Sequence, residues 1–229
     1  MIQDFTALYK KIEYKFCDEK LLQEALTHPS FSQENKNRAN YQRLEFLGDK
    51  VLSLVVGEFL MQKYPKEMEG ALSRRHASFV SGETLAEIAL EIGLEEFLQV
   101  SFGEKKLGGQ TNKRNLENAL EATIGAIYLD SNYEEAKKFI MKFWQNLLSS
   151  ETAPPKDPIS QLQEFVQSKT KGLPEYITTQ SGGADHMPTF ISRVVLPFDN
   201  LEFSASGKSK KEAQRDAAKV ALEALKKKL

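Results

Sequence analysis

A chain of 229 residues with 41% hydrophobic and 28% charged residues has enough apolar material for one large core or two ordinary ones, which excludes a disordered polymer. Its most apolar stretch, around residues 51–61, is interrupted by Ser53 and Glu58 and falls well short of the roughly 20 residues a bilayer-spanning helix needs, so no membrane partner is expected. The formal net charge of −1 hides an uneven distribution: residues 1–150 carry 19 Lys/Arg against 22 Asp/Glu, and the remainder 12 against 10.

The opening residues, MIQDFTALYKK, lack the charged-then-apolar order of a signal peptide, and the single cysteine, Cys17, has no partner for an internal disulfide. Both features lead to the expectation of a cytoplasmic protein, with Cys17 as a small half-buried hydrophobe. Asp18 is placed to cap a helix over residues 19–27. A long apolar-rich helix is predicted over 41–62 and must end before Pro65. Helical spacing of apolar residues continues over 73–91, 115–129 and 133–148. Nothing before residue 150 alternates with period two, so this half is expected to be all-α.

The composition then changes. SSETAPPKDP, residues 149–158, reads as a linker, because paired prolines and small polar residues discourage helix and sheet alike. Residues 159–169 regain helical period. Three short runs follow, 175–180, 189–196 and 201–206, rich in Ile, Val, Thr, Phe and Tyr and separated by the turn-forming SGGADHMP and PFDN. A helix over 209–228, with Ala213, Ala217, Ala218, Ala221, Leu222 and Leu225 on its packing side, closes the chain. The predicted organisation is a helical domain (1–148), a linker (149–158) and a small α+β domain (159–229) of order α-β-β-β-α, its antiparallel sheet covered on one face by two helices.

The chemistry concentrates in RLEFLGD, residues 43–49. Glu45 and Asp49, four apart, share a helix face among Leu44, Phe46, Leu47, Val51, Leu52, Leu54, Val55 and Val56. A helix apolar nearly all round is expected to be mostly buried. Two like charges on it need a cation, either Arg43 or Lys50 in a salt bridge or a bound ion. On a second apolar helix, Asn118 and Glu121 form another oxygen pair three residues apart. Two buried helices that each offer such a pair can assemble a hard-cation site, and oxygen-only ligands suit Mg²⁺.

RLEFLGD, together with THPSF at 27–31, EGALSRRHASFVS at 69–81 and LENALEATIGAIYLD at 116–130, resembles bacterial ribonuclease III, in order and over nearly the whole chain. The resemblance implies a homodimer whose signature helices pair across a two-fold axis and whose valley holds an RNA duplex. Hydrolysis would leave 5′-phosphates and 3′-hydroxyls on ribosomal and other structured precursors. It further implies Glu45, Asp49, Asn118 and Glu121 as ligands of Mg²⁺, with Mn²⁺ as a substitute and no organic cofactor. Glu69, with Glu45, Asp49 and Glu121, falls among the catalytic acids. Two positions depart from the pattern. Gln42 stands where an acid usually opens the signature, and Asn118 where aspartate usually ligates, which gives up one negative charge. Glu117 is read as a solvated neighbour of Asn118, rotated about 100° around the helix.

The second domain resembles a double-stranded RNA-binding domain. Lys208, Lys210 and Lys211 stand at the start of the last helix, where unpaired N–H groups already favour phosphate. Ser209 and Glu212 form a capping box there, and Gln214 replaces a frequent third lysine. Ser160, Gln163, Glu164 and Gln167 share one face of the first helix, suited to an A-form minor groove, and His186 lies in the matching minor-groove loop. His28 is expected to bond at a helix end, His76 to be structural and Trp144 to be core. Arg74 and Arg75 contact either phosphate or the domain's own acids, and GEKKLGG (103–109) is a loop without a phosphate-binding GK[ST]. A binder that grips duplex RNA without cutting it is the alternative, since one ligand is neutral; a hydrolase of small phosphates is a weaker third.

Overall fold

The computed structural model of the chain describes residues 4–35, 39–150, 157–182, 189–198 and 201–226, apart from the side chains of 146 and 148–150. It divides into two compact units, Met1–Pro154 and Pro155–Leu229. The described part of the first unit is helical: α1 (Thr6–Ile12), α2 (Glu19–Ala25), α3 (Pro29–Glu34), α4 (Gln42–Lys63), α5 (Glu69–Phe79), α6 (Gly82–Ile92), α7 (Phe102–Lys106), α8 (Lys113–Asp130) and α9 (Tyr133–Ser150), with a 3-10 turn at Leu94–Glu96. The extended pairing within it is one isolated bridge, Thr27 to Gln99.

Local chemistry sets the helix ends. The Asp18 side chain accepts from Lys20 N–H at α2, and Asn112 from the N–H groups of Arg114 and Asn115 at α8, satisfying donors that a first turn leaves free. His28 caps α3 through Nδ1, which accepts from Ser30 N–H at 3.0 Å, and Pro29 supplies the pre-set φ of the first position. The single helix predicted over 73–91 is two. It starts earlier, at Glu69, and breaks at Ser81, whose extended backbone (φ −70°, ψ 146°) lets Oγ accept from Thr84 N–H and start α6. Both halves turn apolar residues to one core, so the periodicity runs through the break.

That core is lined by α8, on which Leu116, Ala119, Leu120, Ala122, Ile124, Ala126 and Ile127 are buried. Trp144 of α9 is fully enclosed and donates Nε1–H to the Phe79 carbonyl at 2.9 Å. Asp130 ends α8 and clamps the segment before α2, accepting from Tyr14 Oη (2.6 Å), Cys17 N (2.9 Å) and Asp18 N (2.8 Å). Cys17 is exposed, not half-buried, because its backbone, not its side chain, makes the anchoring contact. The expectation for α4 also needs correction. Leu44, Val51, Leu52, Val55, Val56 and Leu60 are buried, but Phe46, Leu54 and Met61 are 69%, 61% and 64% exposed. The helix has one apolar face in the core and a second facing outward.

The second unit follows the predicted order: α10 (Pro158–Lys169), β1 (Glu175–Gly182), β2 (Thr189–Val195), β3 (Glu202–Gly207) and α11 (Lys210–Lys226). The strands form an antiparallel sheet of order β1-β2-β3, with Val194 opposite Tyr176 and Phe203. Leu162 and Val166 of α10 join Val194, Leu196, Ala217, Ala218, Ala221 and Leu225 in its core. Alanines on α11 let the helix lie close to the strands. Among the described residues no helix is long and apolar enough to cross a membrane.

Candidate functional site

Two glycines determine where the acidic residues meet. A Cβ built on Gly48 of α4 would lie 1.7 Å from the Glu121 carbonyl oxygen of α8, and one on Gly125 would lie 2.3 Å from the Leu44 carbonyl oxygen. The backbones of α4 and α8 therefore touch, a closeness that only hydrogen at both positions permits. Glu45 and Asp49 flank Gly48 on one helix; Asn118 and Glu121 lie within one turn on the other.

The charges of these side chains act on one another. The Glu121 carboxyl is pushed up to about 8, chiefly by burial and then by the negative charges of Asp49, Glu117 and Glu45, with Lys50 opposing. Burial also raises Glu45; Arg114 opposes the rise, while Glu117 and Asp49 add to it. Glu117, read from the sequence as solvated, is half-buried and belongs to this group of acids; its carboxylate lies against Gly82 at the start of α6. Asp49 leans to its neighbour Lys50 (2.6 Å), and Asn118 donates Nδ2–H to Tyr41 Oη at 3.4 Å. Among the described residues no three His, Cys, Asp or Glu side chains are drawn together closely enough to hold an ion as they stand. Half-buried Glu45 and Glu121, whose carboxyls are pushed up by burial first and neighbouring negative charge second, form with Asp49 and an amide oxygen beside them a donor set suited to a hard divalent ion.

In the second unit the predicted capping pair is in place, with its return bond to the residue before the cap. Ser209 Oγ accepts from Glu212 N–H at 3.1 Å, and Glu212 Oε2 accepts from Lys208 N–H at 2.8 Å. Lys208, Lys210 and Lys211 are exposed around this helix start. Ser160, Gln163, Glu164 and Gln167 are all exposed along one face of α10. Gln214 is occupied within the fold, donating to Thr178 Oγ1 at 3.2 Å. His186 lies outside the described residues.

Comparison with known proteins decides the family. Residues 18–147 match the family described as Ribonuclease-III-like, and residues 158–225 match the double-stranded RNA binding motif. The chain belongs to the ribonuclease III family. Ribonuclease 3 of Ehrlichia chaffeensis is 44% identical over 94% of this chain and 95% of its own length, and that of Ehrlichia ruminantium (strain Gardel) is 45% identical over the same shares. The crystal structure of the nuclease domain of ribonuclease III from Campylobacter jejuni superposes with a TM-score of 0.61 at 39% identity, covering 66% of this chain and 99% of that one. This ribonuclease III is accordingly an endoribonuclease that cleaves double-stranded RNA, and its family is metal-dependent. The non-cutting alternative finds no support, since the acids of the crossing are retained and the matched relatives are ribonucleases.

Several residues of the ribonuclease III motifs do structural work. Arg75 is fully buried, paired through two nitrogens with Glu67 (2.9 and 2.8 Å) and stacked on Tyr64, so it does not contact phosphate. It holds the turn before α5, from which Glu69 projects. Glu69 itself is exposed, accepts from Ser73 Oγ at 2.7 Å and lines a hollow with Gly57, Leu60, Met61, Met68 and Leu72; it is not part of the acidic group at the helix crossing. His76 is tied to the Ser53 carbonyl at 3.1 Å. Tyr41 is a neighbour of this group that the sequence reading missed, and Glu117 one that it read as solvated. The four-residue spacings Tyr41–Glu45 and Glu117–Glu121 were the signals that could have found them.

Proposed function

We propose that this ribonuclease III works as a magnesium-dependent homodimer in the cytoplasm, leaving 5′-phosphate and 3′-hydroxyl ends on ribosomal and other structured RNA precursors. Residues 1–148 would form the nuclease domain, 149–158 the linker and 159–229 the RNA-binding domain. The observation that carries this reading is the Gly48–Gly125 contact, which sets Glu45 and Asp49 of α4 against Glu121 of α8.

Glu45, Asp49, Asn118 and Glu121 would hold the ion, and Mn²⁺ would replace Mg²⁺ because the donors are oxygens. When bound, the ion supplies charge neutralisation and Lewis-acid stabilisation to phosphodiester hydrolysis. The chain's own part is to keep these oxygens half-buried, so that a cation is the favoured answer to their repulsion. Glu69 would contribute a further acid to the RNA-binding valley. Lys208, Lys210 and Lys211 would grip phosphates, while Ser160, Gln163, Glu164, Gln167 and His186 would meet the minor groove and its 2′-hydroxyls, reading shape more than sequence.

A second copy of the chain is the occupant we assign to the exposed apolar side of α4. Phe46, Leu54 and Met61 rise on roughly one side of that helix, and Phe46 borders an open hollow of about 740 Å³ lined also by Leu21, Leu44, Leu47 and Leu129. A neighbouring patch of this kind is more than isolated surface leucines. A Campylobacter jejuni nuclease-domain structure, 41% identical, is described in terms of a region involved in dimer formation, which supports the reading. The test is incubation with a long RNA duplex with and without Mg²⁺. Cleavage only with the ion, lost in Glu121→Ala while duplex binding persists, is expected; cleavage in excess chelator would refute the metal assignment.

A further inference from the structure

An aspartate ligand offers two equivalent oxygens, whereas an asparagine offers one oxygen and two N–H donors, so an amide serves a cation in only one of its two flips. Asn118 therefore faces a problem that an aspartate there would not. Its Nδ2 donates to Tyr41 Oη at 3.4 Å, and among the described residues no protein donor reaches its Oδ1. A planar amide that turns its N–H₂ toward Tyr41 turns its oxygen away from that ring.

Tyr41 is itself rigidly held. It is only 2% exposed, its ring packs edge-on to His28 at 5.6 Å, its N–H donates to the Thr27 carbonyl at 3.0 Å, and its carbonyl accepts from Glu45 N–H at 2.8 Å. The carboxylates of Glu45 and Glu104 act on its hydroxyl, and the Arg114 guanidinium opposes them. The hydroxyl accepts from the Asn118 amide through one of its oxygen lone pairs. The reversed flip would exchange the amide oxygen for N–H₂ on the side turned away from the ring.

We propose that Tyr41 is a positioning residue that fixes the Asn118 amide so its carbonyl oxygen, not its nitrogen, is available to the divalent ion. The inference rests on the metal-ligand reading above and explains how this chain works with a neutral residue at that position. It implies a coupled pair: the Tyr41 hydroxyl matters when residue 118 is an amide and not when it is a carboxylate.

The test is a double-mutant cycle on the full chain without RNA, with free Mn²⁺ counted by electron paramagnetic resonance. Tyr41→Phe keeps the ring and removes only the hydroxyl. It is expected to weaken Mn²⁺ binding about threefold to tenfold, the range of one hydrogen bond, but less than twofold when combined with Asn118→Asp. Equal weakening in both backgrounds, or none in the native one, overturns the proposal, since a role in packing alone would not depend on residue 118. Glu121→Gln is the control: if it binds Mn²⁺ as the native chain does, the metal site itself is wrong and the inference falls with it. Should Tyr41→Phe fail to fold, hydrogen exchange of the Asn118 side-chain amide in the native chain decides. Protected Nδ2 protons with and without Mg²⁺ are expected, and exchange as fast as an exposed asparagine overturns the proposal.

Discussion

Glu121 shows how the fold sets one carboxyl against burial and its acidic neighbours. Its carboxyl titrates near 8 in the folded chain against an ordinary value of 4.5, because burial and the neighbouring acids disfavour its charge. The folded state thus binds this proton more tightly than the unfolded one. The stabilisation is complete below about pH 4.5 and is lost as pH rises through about 8. In metal-free protein, the thermal midpoint is expected to fall between roughly pH 5 and 8, and Glu121→Gln to flatten that slope. An identical slope in the variant would show that other groups are responsible. Glu67, held low by Arg75, acts in a separate window, contributing above its ordinary range and losing its effect as pH falls through the depressed value. The sequence made Glu45, Asp49 and Glu121 legible, since spacings of three and four on apolar helices mark carboxylates that need a partner. It did not reveal Tyr41, or that Glu117 joins the acids. Periodicity says which residues share a face of one helix, but not which face of a neighbouring helix they meet.

The α4–α8 crossing is where element structure and function join. Gly48→Ala forces a methyl into the Glu121 carbonyl, so the helices must separate, at an expected loss of about 3 kcal/mol or more and with cleavage falling alongside. Gly57 lies on the same helix with open space around its would-be Cβ. Gly57→Ala is expected to stabilise by up to about 1 kcal/mol, from helix propensity alone. Chemical denaturation of both variants separates close packing from propensity; equal effects would remove the crossing from the account. Long helices such as α4, α8, α9 and α11 were legible because many periodic positions agree. The short helices α1 and α7 offer too few positions for a period to register. The α5–α6 break was invisible because apolar spacing continues across Ser81 and only the cap chemistry distinguishes it.

For the whole molecule, function requires duplex binding and cleavage to be combined in one chain. Replacing Lys208, Lys210 and Lys211 with alanine is expected to weaken duplex affinity uniformly across sequences and to reduce the salt slope by roughly one for each phosphate no longer neutralised. Fluorescence anisotropy over a salt series measures this, and an unchanged slope would place the lysines outside the interface. Phe46→Glu with Leu54→Glu adds charge to the outward face of α4 and is expected to convert a dimer to monomers by analytical ultracentrifugation; an unchanged mass would assign that face another role. The most direct test of the central claim, that the α4–α8 crossing holds the ion, is the anomalous scattering of crystals grown with Mn²⁺. A peak within ligand distance of the oxygens of Glu45, Asp49 and Glu121 is the expected result. Mn²⁺ bound only elsewhere on the chain would contradict it.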